Sequence, residues 1–356
     1  MNIMEIRYKR LRDAMAEKGL DAVYVNAPEN YLYMSHFDNP DGYMLITKDK
    51  SWLFADFRYF EAAKLEAFSC CTVCEPRKPG LSEIVNEYNL KTIGYEDQAL
   101  TCYELYSLKQ QLTGCEFVPT GNMFSSIRAS KTPEEIEAVV KAQRIAEGAF
   151  RHLLTMIHYD MTETDVVAEL EYYMKKNGSE KPSFDTIAVS GAQSSRPHGV
   201  PRPVKLEKGF LTMDYGAMIN GYHSDMTRTI CIGKADADMK KVYDTVLKAQ
   251  LAALEYVEAG KPNKDVDKVA RDIIHSAGYE GCFGHGLGHG VGLLIHEDPR
   301  VSSGAGDAVL QVGELITIEP GIYIEGKYGC RIEDMVYLSE NGKQNLTDCP
   351  KELIEI

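Results

Sequence analysis

Three histidines, His285, His289 and His296, stand among closely spaced glycines in the segment from Gly284 to His296. Imidazole nitrogens bind metals and transfer protons near neutral pH, and glycines let a backbone approach a ligand closely. The rings could therefore converge on one point, which indicates a metal or substrate site. A glycine-rich loop with incidental histidines is the alternative.

Two aspartates, Asp214 and Asp225, lie in strand-like segments on either side of Asn220-Gly221. Asn-Gly is a strong signal for a two-residue hairpin turn. With that turn, Asp214 pairs with Thr227, and Asp225 lies on the same face, about 7–8 Å away along the diagonal. The sequence therefore predicts that both carboxylates point to one place, where a cation would offset their repulsion.

Two further carboxylates, Glu319 and Glu333, are predicted to lie inside apolar strands, where an unpaired charge is costly. Together with Asp214, Asp225 and His289 they give four carboxylates and one imidazole. Such oxygen-rich ligation favours a pair of Mn²⁺ or Co²⁺ ions, about 3.5–4 Å apart, over a structural zinc. Solvated strand acids are the alternative.

Two pairs of helices are predicted to position these residues. The first pair spans residues 133–156 and 164–176 and begins with Thr132 as an N-cap. The second pair spans residues 238–258 and 265–277, and strands follow each pair. This repetition predicts two helix–helix–strand halves, with one sheet from both halves and the site between them. Two unrelated helical hairpins are the alternative.

The N-terminal part is predicted to be a small α/β domain. Its predicted strands are Asp21–Val25, Tyr43–Thr47, Trp52–Ala55, Cys71–Cys74 and Thr92–Tyr95. Glycine-rich phosphate loops do not follow them, which argues against nucleotide binding. The chain is therefore predicted to divide into residues 1–125 and 126–356, and its fold class is α/β (α+β).

Composition excludes several functions. The net charge of −14 argues against a nucleic-acid partner, and no run of about 20 apolar residues predicts a membrane span. The N-terminus lacks a signal-peptide pattern, so a cytoplasmic location is expected. Nine cysteines, an odd number, fit reduced thiols. Cys71 and Cys74 form a lone C-x-x-C, for which core packing is favoured over metal binding.

The chain resembles the pita-bread metallopeptidases, specifically the proline peptidase branch of Xaa-Pro dipeptidases (prolidases) and Xaa-Pro aminopeptidases (aminopeptidase P). The resemblance covers the whole chain and implies a creatinase-type N-terminal domain before a pita-bread catalytic domain with a pseudo-twofold repeat. It rests on Phe184-Asp185-Thr186-Ile187, Pro197-His198, Met213-Asp214-Tyr215-Gly216, Asp225-Met226-Thr227-Arg228, Gly284–Gly290, Thr317–Gly321 and Arg331–Asp334.

The resemblance implies roles for individual residues. The metal ligands would be Asp214, Asp225, His289, Glu319 and Glu333, with Asp225 and Glu333 bridging two divalent ions, Mn²⁺ first and Co²⁺ or Zn²⁺ as alternatives. The catalytic residues would be His198, His285 and Glu319, which also shuttles a proton. His198 and His296 would line the substrate pocket, and Thr227 and Arg331 would support the ligands from outside. Gln193 and Cys330 depart from the usual pattern, where Asn and Val are common.

These inferences predict a dinuclear metalloexopeptidase that cleaves the bond between an N-terminal residue and proline in short peptides. Arg300, four residues after His296, is a candidate for binding a substrate carboxylate, which would favour dipeptides. The resemblance also implies a homodimer. The alternatives are a methionine aminopeptidase-like enzyme, a creatinase, which lacks the metal ligands, and a non-catalytic binding scaffold of the same fold.

Overall fold

A computed structural model describes residues 2–38, 41–75 and 80–356. The chain divides into two compact units, residues 1–128 and 129–356, close to the boundary predicted between residues 125 and 126. Within the described residues, no helix combines the length and the apolar character that crossing a lipid bilayer requires. All nine cysteines are described, and none forms a disulfide.

The first unit alternates helices and strands. Its helices are α1 Ile3–Lys18, α2 Pro28–Ser35, α3 Phe60–Glu66, α4 Leu81–Glu87, α5 Cys102–Gln111 and α6 Met123–Ala129. Its strands are β1 Ala22–Val25, β2 Tyr43–Thr47, β3 Ser51–Phe54, β4 Cys71–Cys74, β5 Thr92–Tyr95 and β6 Glu116–Pro119. The five predicted strands are confirmed, and β6 was not predicted.

A six-stranded mixed sheet, in the order β4-β3-β2-β1-β5-β6, organises the first unit. The hairpin strands β1, β2 and β3 pair antiparallel, while β4, β5 and β6 pair parallel to their neighbours. Parallel strands need crossover connections, which the helices between them provide. The apolar sheet residues Leu45, Phe54 and Ile93 are buried in the core of this unit.

The second unit contains the two predicted pairs of helices. They are α7 Pro133–Leu154 with α8 Glu163–Lys176, and α9 Ala237–Tyr256 with α10 Asn263–Ser276. The predicted cap of α7 is confirmed: the Thr132 side chain accepts from the Glu135 N–H, and the Glu135 side chain reaches back. Each helix pair packs into an apolar core of its own with the strands that follow it.

Twelve strands complete the description of the second unit. The first half contributes β7 Ile187–Ser190, β8 Gly209–Tyr215, β9 Met218–Ile219, β10 Tyr222–His223 and β11 Met226–Ile232. The second half contributes β12 Gly288–Gly290, β13 Glu297–Val301, β14 Leu315–Ile318, β15 Gly321–Ile324, β16 Tyr328–Arg331, β17 Asp334–Ser339 and β18 Gly342–Asn345.

The strands of the two halves form separate sheets among the described residues, so the prediction of one sheet from both halves is wrong. The first half has a sheet in the order β11-β8-β7, and the second a sheet in the order β13-β12-β14-β17-β18. The halves join where the Glu333 N–H donates to the Thr227 carbonyl, 3.2 Å away. Shared hydrogen bonds at that junction are too few to merge the sheets.

The predicted hairpin register is confirmed. Ile219 pairs with Tyr222 and Asp214 pairs with Thr227, so no bulge shifts the pairing between them. The ladder nevertheless breaks between β8 and β9, because the backbones approach closely at Gly216. A Cβ at Gly216 would lie 1.8 Å from the Ser224 carbonyl oxygen, so only glycine fits there.

Candidate metal centre

The five predicted ligands come from both halves of the second unit. Asp214 lies in β8, Asp225 just before β11 and His289 in β12. Glu319 directly follows β14, and Glu333 lies between β16 and β17. The prediction that these two glutamates lie inside strands is therefore wrong. They lie where strands end, and the Glu319 N–H leaves the β14 ladder to donate to the Leu287 carbonyl at 2.8 Å.

The structure brings these side chains together. Asp225, His289 and Glu333 each offer a ligand atom, and the three atoms lie within 4.8 Å of one another. The Nε2 atom of His289 lies 3.3 Å from Glu319 Oε1 and 3.6 Å from Asp225 Oδ2. Asp214 lies close enough to raise the pKa values of both Asp225 and Glu333 by repulsion. The five residues therefore surround one small volume.

The donor atoms fit divalent cations. One oxygen each of Asp214, Asp225 and Glu333 is buried without a hydrogen-bond partner. Burial, and then repulsion from neighbouring carboxylates, raises the pKa values of Asp225 and Glu333 well above their ordinary range. Buried, unsatisfied and mutually repelling carboxylates are the arrangement that a hard cation with oxygen ligands would stabilise.

The imidazole of His289 is oriented for ligation. Its Nδ1 faces the Gly290 carbonyl oxygen at 3.0 Å, so a proton on Nδ1 leaves the Nε2 lone pair directed at the carboxylates. The hydroxyl of Thr317 accepts from the His289 N–H at 3.1 Å and donates to Glu319 at 3.3 Å. Thr317 therefore positions two of the five ligands, a role that the sequence analysis did not predict.

Arg331 and Thr227 contact the ligands from outside, as the resemblance implied. The Arg331 guanidinium donates to Asp214 Oδ2 at 2.6 Å and to the Thr227 hydroxyl at 3.0 Å. The Thr227 hydroxyl donates to Glu333 at 2.7 Å. Arg331 is buried, so its single positive charge partly offsets the four carboxylates.

Tyr323, on β15, was not predicted from the sequence. Its hydroxyl lies 2.9 Å from His285 Nε2 and 2.7 Å from Arg331 Nη1. Since the guanidinium can only donate, the Tyr323 oxygen accepts from Arg331 and its O–H is free to donate to His285. The Nδ1 of His285 faces the Gly286 carbonyl at 2.8 Å, and burial lowers the pKa of this histidine. Both ring nitrogens of a neutral His285 are therefore engaged.

Two ion pairs, each with a fully buried carboxylate, hold the backbone that carries the proposed ligands, and neither pair was predicted from the sequence. Asp267 pairs with Arg271 on α10 and accepts from the Leu287 N–H, while Arg271 donates to the His285 carbonyl. Arg228 pairs with Asp334 at 2.9 Å and donates to the Glu333 carbonyl. The first of these pairs has a sequence signal, an aspartate and an arginine four residues apart on a predicted helix.

The remaining predicted residues are exposed. His296 is exposed, and its ring centroid is 4.3 Å from that of His289. His198 is also exposed, in the segment between β7 and β8. Arg300 pairs with His289 across β12 and β13. Its guanidinium has no hydrogen-bond or ion-pair partner among the residues that the structure describes.

The glycines between the histidines are required by close backbone contacts. A Cβ at Gly288 would lie 1.9 Å from the Thr317 carbonyl oxygen, and one at Gly290 would lie 2.2 Å from the Asp298 carbonyl oxygen. Gly284, by contrast, has open space around it. The glycines therefore let β12 lie between β13 and β14 with His289 directed at the carboxylates, as the sequence analysis expected.

The two departures from the usual pattern lie outside the ligand set. Cys330 is buried in the core of the second half, and burial raises its pKa to about 12. Gln193 lines a cavity of about 440 Å³ that reaches Tyr323. The lining is polar and includes Arg196, Arg202 and Glu325.

Comparisons with known proteins find matches over most of the chain. Residues 137–340 match Metallopeptidase family M24, and residues 7–130 match the Creatinase/Prolidase N-terminal domain. A curated relative named Xaa-Pro dipeptidase, from Pyrococcus furiosus, is 39% identical over 99% of this chain and 100% of its own length. An uncharacterised peptidase of Bacillus subtilis, YqhT, is 36% identical over 98% of this chain and 99% of its own.

Solved structures share the whole architecture. An Xaa-Pro dipeptidase from Bacillus anthracis superposes with a TM-score of 0.94 at 38% identity and covers both chains fully. An X-Pro aminopeptidase from Thermotoga maritima superposes with a TM-score of 0.90 at 35% identity, over 97% of this chain and 100% of its own. The predicted fold, a creatinase-type N-terminal domain before a pita-bread domain, is confirmed.

Proposed function

The chain belongs to metallopeptidase family M24, in the pita-bread proline peptidase group, and is a metal-dependent peptidase, and we propose that it cleaves the bond between an N-terminal residue and proline. The relatives and neighbours named as Xaa-Pro dipeptidases and X-Pro aminopeptidases support this substrate class. The observation that carries the proposal is the convergence of Asp214, Asp225, His289, Glu319 and Glu333 beside exposed imidazoles.

Divalent metal use follows from the family, and we propose that two ions bind, Mn²⁺ in preference to Co²⁺ or Zn²⁺. The five converging residues would hold them, with Asp225 and Glu333 shared. Four carboxylates and an imidazole offer more ligand atoms than one divalent ion needs, which supports a pair of ions. When bound, such ions polarise a peptide carbonyl and acidify water.

Glu319 is the proposed proton carrier. Its carboxylate accepts from the Thr317 hydroxyl at 3.3 Å, and its Oε1 lies 3.3 Å from His289 Nε2, so it is held within the cluster of proposed ligands. An ionised carboxylate can accept the proton of the attacking water and deliver it to the departing proline nitrogen. Its Oε2 lies 4.0 Å from His285 Nδ1, which keeps this oxygen near the second proposed catalytic residue.

The exposed histidines are the proposed contacts for proline. An Xaa-Pro bond has no amide hydrogen, so recognition depends on the ring and on the group that follows it. His198 and His296 are both exposed, and imidazole rings can pack against a pyrrolidine ring. His198 is in addition a proposed catalytic residue, as the family resemblance implies.

Arg300 is the proposed ligand of the substrate carboxylate. Directly paired strand residues have side chains on one face, about 4.5–5.5 Å apart at Cβ. Since Arg300 pairs with His289, its side chain leaves the sheet on the face that carries the metal ligand. An unpartnered guanidinium at this position favours substrates whose proline ends in a free carboxylate, and hence a dipeptidase.

The test compares Xaa-Pro, Xaa-Pro-amide and Xaa-Pro-Yaa substrates after addition of Mn²⁺, Co²⁺ or Zn²⁺. We expect kcat/KM for the dipeptide to exceed that for the amide by about 10-fold or more, the value of one charged hydrogen bond. Arg300→Gln should remove this preference through KM, while Arg196→Gln should keep it. Asp214→Asn serves as the inactive control.

Other outcomes decide between the alternatives. Equal cleavage of the dipeptide and the tripeptide would make the chain an Xaa-Pro aminopeptidase. Cleavage of Met-Ala peptides in preference to Xaa-Pro would support a methionine aminopeptidase-like activity. Failure to bind metal or to cleave any of these peptides would support a binding scaffold. The homodimer and the cytoplasmic location stay predictions.

A further inference from the structure

Two adjacent thiols, those of Cys70 and Cys71, lie at the start of β4 in the first unit. Cys70 is exposed in the turn before the strand, and Cys71 is half-buried as its first residue. The two residues are adjacent in the chain, so their Cα atoms lie about 3.8 Å apart. An accessible thiol next to a second thiol is the minimum arrangement for reversible thiol oxidation.

Two buried hydroxyl groups lie under this thiol pair. The Tyr8 hydroxyl is 3.4 Å from Cys71 Sγ and donates to Ser51 Oγ at 3.0 Å. The Ser51 hydroxyl donates in turn to the Cys70 carbonyl oxygen at 3.0 Å. Because Tyr8 and Ser51 are both buried, these contacts fix the turn and hold the thiols together.

The surroundings also separate the two thiols by pKa. The neighbouring Cys71 thiol, with smaller contributions from Tyr8 and Ser51, lowers the pKa of Cys70 to about 6. The same interaction raises the pKa of Cys71. The exposed sulfur is therefore the more readily ionised of the two.

We propose that Cys70 and Cys71 form a peroxide-reactive thiol pair that closes to a vicinal disulfide. The Cys70 thiolate attacks a peroxide oxygen, so that an S–O bond forms, the O–O bond breaks and hydroxide leaves. Cys71 then loses its proton and attacks Cys70 Sγ, so that the S–S bond forms and the S–O oxygen leaves as water. In sum, two thiols and one hydrogen peroxide give one disulfide and two waters.

Adjacent placement makes such a disulfide easy to reduce. Neighbouring Cα atoms are about 3.8 Å apart, less than the roughly 4.4–6.8 Å usual for disulfides, and the resulting strain raises the reduction potential. Oxidation at this pair is therefore reversible by small thiols.

The test treats the reduced full-length protein with hydrogen peroxide, alkylates the remaining thiols and digests with trypsin. The peptide of residues 65–77 contains Cys70, Cys71 and Cys74. We expect this peptide to lose two hydrogens, with only Cys74 alkylated, and to regain all three thiols after dithiothreitol. In Cys71→Ser, dimedone should trap a sulfenic acid on Cys70, and in Cys70→Ser the segment should not react.

Cys102 provides the matched control, because it is an exposed cysteine at the start of α5 in the same unit. Because no second cysteine adjoins it in the sequence, it should form no disulfide under conditions that close the Cys70–Cys71 pair. Cys74→Ser should leave the pair unaffected. A linkage through Cys74, disulfide formation at Cys102, or recovery of all three thiols as alkylated cysteines after peroxide treatment would overturn the proposal.

Discussion

Tyr323 connects two groups that the centre depends on. Its hydroxyl accepts from Arg331, which restrains Asp214, and contacts Nε2 of His285. We expect Tyr323→Phe to lower kcat/KM by about 10–100-fold, as is typical when a partner of a ligand-supporting group is removed. The main loss should be in kcat, because the substrate contacts proposed for His198 and Arg300 are retained.

Tyr328→Phe is the matched control for this prediction. Tyr328 lies on β16, in the same hairpin as Tyr323, and its hydroxyl makes no hydrogen bond within the described residues. Removal of that hydroxyl should leave the steady-state constants unchanged. Full activity of Tyr323→Phe would mean that the link between Arg331 and His285 has no part in the reaction.

The five proposed ligands could be picked out from the sequence because their residue types stand out against apolar surroundings, and because a family motif surrounds each one. The supporting residues could not. Thr317 and Asp267 act through contacts with segments 20 to 28 residues away, and neither residue type is unusual in a strand or a helix. The role of Tyr323 could not be predicted for the same reason, since an aromatic residue in a strand most often packs against apolar neighbours.

At the scale of elements, β12 depends on the absence of a side chain at Gly288. A Cβ there would lie 1.9 Å from the Thr317 carbonyl oxygen, which belongs to β14. We expect Gly288→Ala to destabilise the fold by at least about 1–3 kcal/mol. It should also weaken Mn²⁺ binding, because Thr317 orients both His289 and Glu319.

Gly284→Ala is the control from the same segment. No atom lies within 4 Å of a Cβ at Gly284, so this change should be neutral or slightly stabilising. Urea unfolding and calorimetric Mn²⁺ titration of both variants measure the two effects. Equal stability of the two variants would show that β12 can move away from β14 at little cost.

The loop after β7 carries His198 and is anchored at the first residue of α8. The buried Glu163 accepts from the N–H groups of Ser190 and Arg202 and pairs with the Arg202 guanidinium at 2.7 Å. Burial opposes its ionisation, but these hydrogen bonds outweigh burial and lower its pKa. We expect Glu163→Gln to cost roughly 2–3 kcal/mol at pH 7.

This cost should depend on pH. Because the pKa of Glu163 is lower in the folded chain, its stabilisation is complete above the ordinary carboxyl pKa of about 4.3 and is lost as the pH falls through the folded value. Urea unfolding should therefore show the difference between wild type and Glu163→Gln shrinking below about pH 4. Glu171→Gln, a change on α8 at a residue with no ionic partner in the described structure, should have little effect at any pH.

Helices were predicted more accurately than strands for a physical reason. Helix ends carry local signals, such as the Thr132 cap of α7, and apolar periodicity sets their length. The strand breaks at Gly216 and beside Glu333 arise from close approach of distant backbones, which nearby residues do not encode. The pairing register is the same for β9 with β10 and for β8 with β11, because the Asn220-Gly221 turn fixes it locally.

For the second unit as a whole, the centre lies where its two halves join. Asp214 and Asp225 come from the first half, and His289, Glu319 and Glu333 from the second. Without a cation, repulsion among buried carboxylates acts against the contact that joins the halves. Metal binding should therefore stabilise the fold as well as enable catalysis. The stabilisation should be about 2.7 kcal/mol for each ion when Mn²⁺ is at 100 times the Kd of its site.

Asp225→Asn separates these two effects, because it removes one buried charge and keeps the shape of the side chain. Burial and repulsion raise the pKa of Asp225, and each unit of such a shift corresponds to about 1.4 kcal/mol of unfavourable ionisation. We expect the variant to be more stable than wild type after chelator treatment and to gain little from Mn²⁺. Asp244→Asn, at an exposed position of α9, should behave as wild type. A chelator-treated Asp225→Asn that unfolds more easily than wild type would mean that carboxylate repulsion is not what the metal relieves.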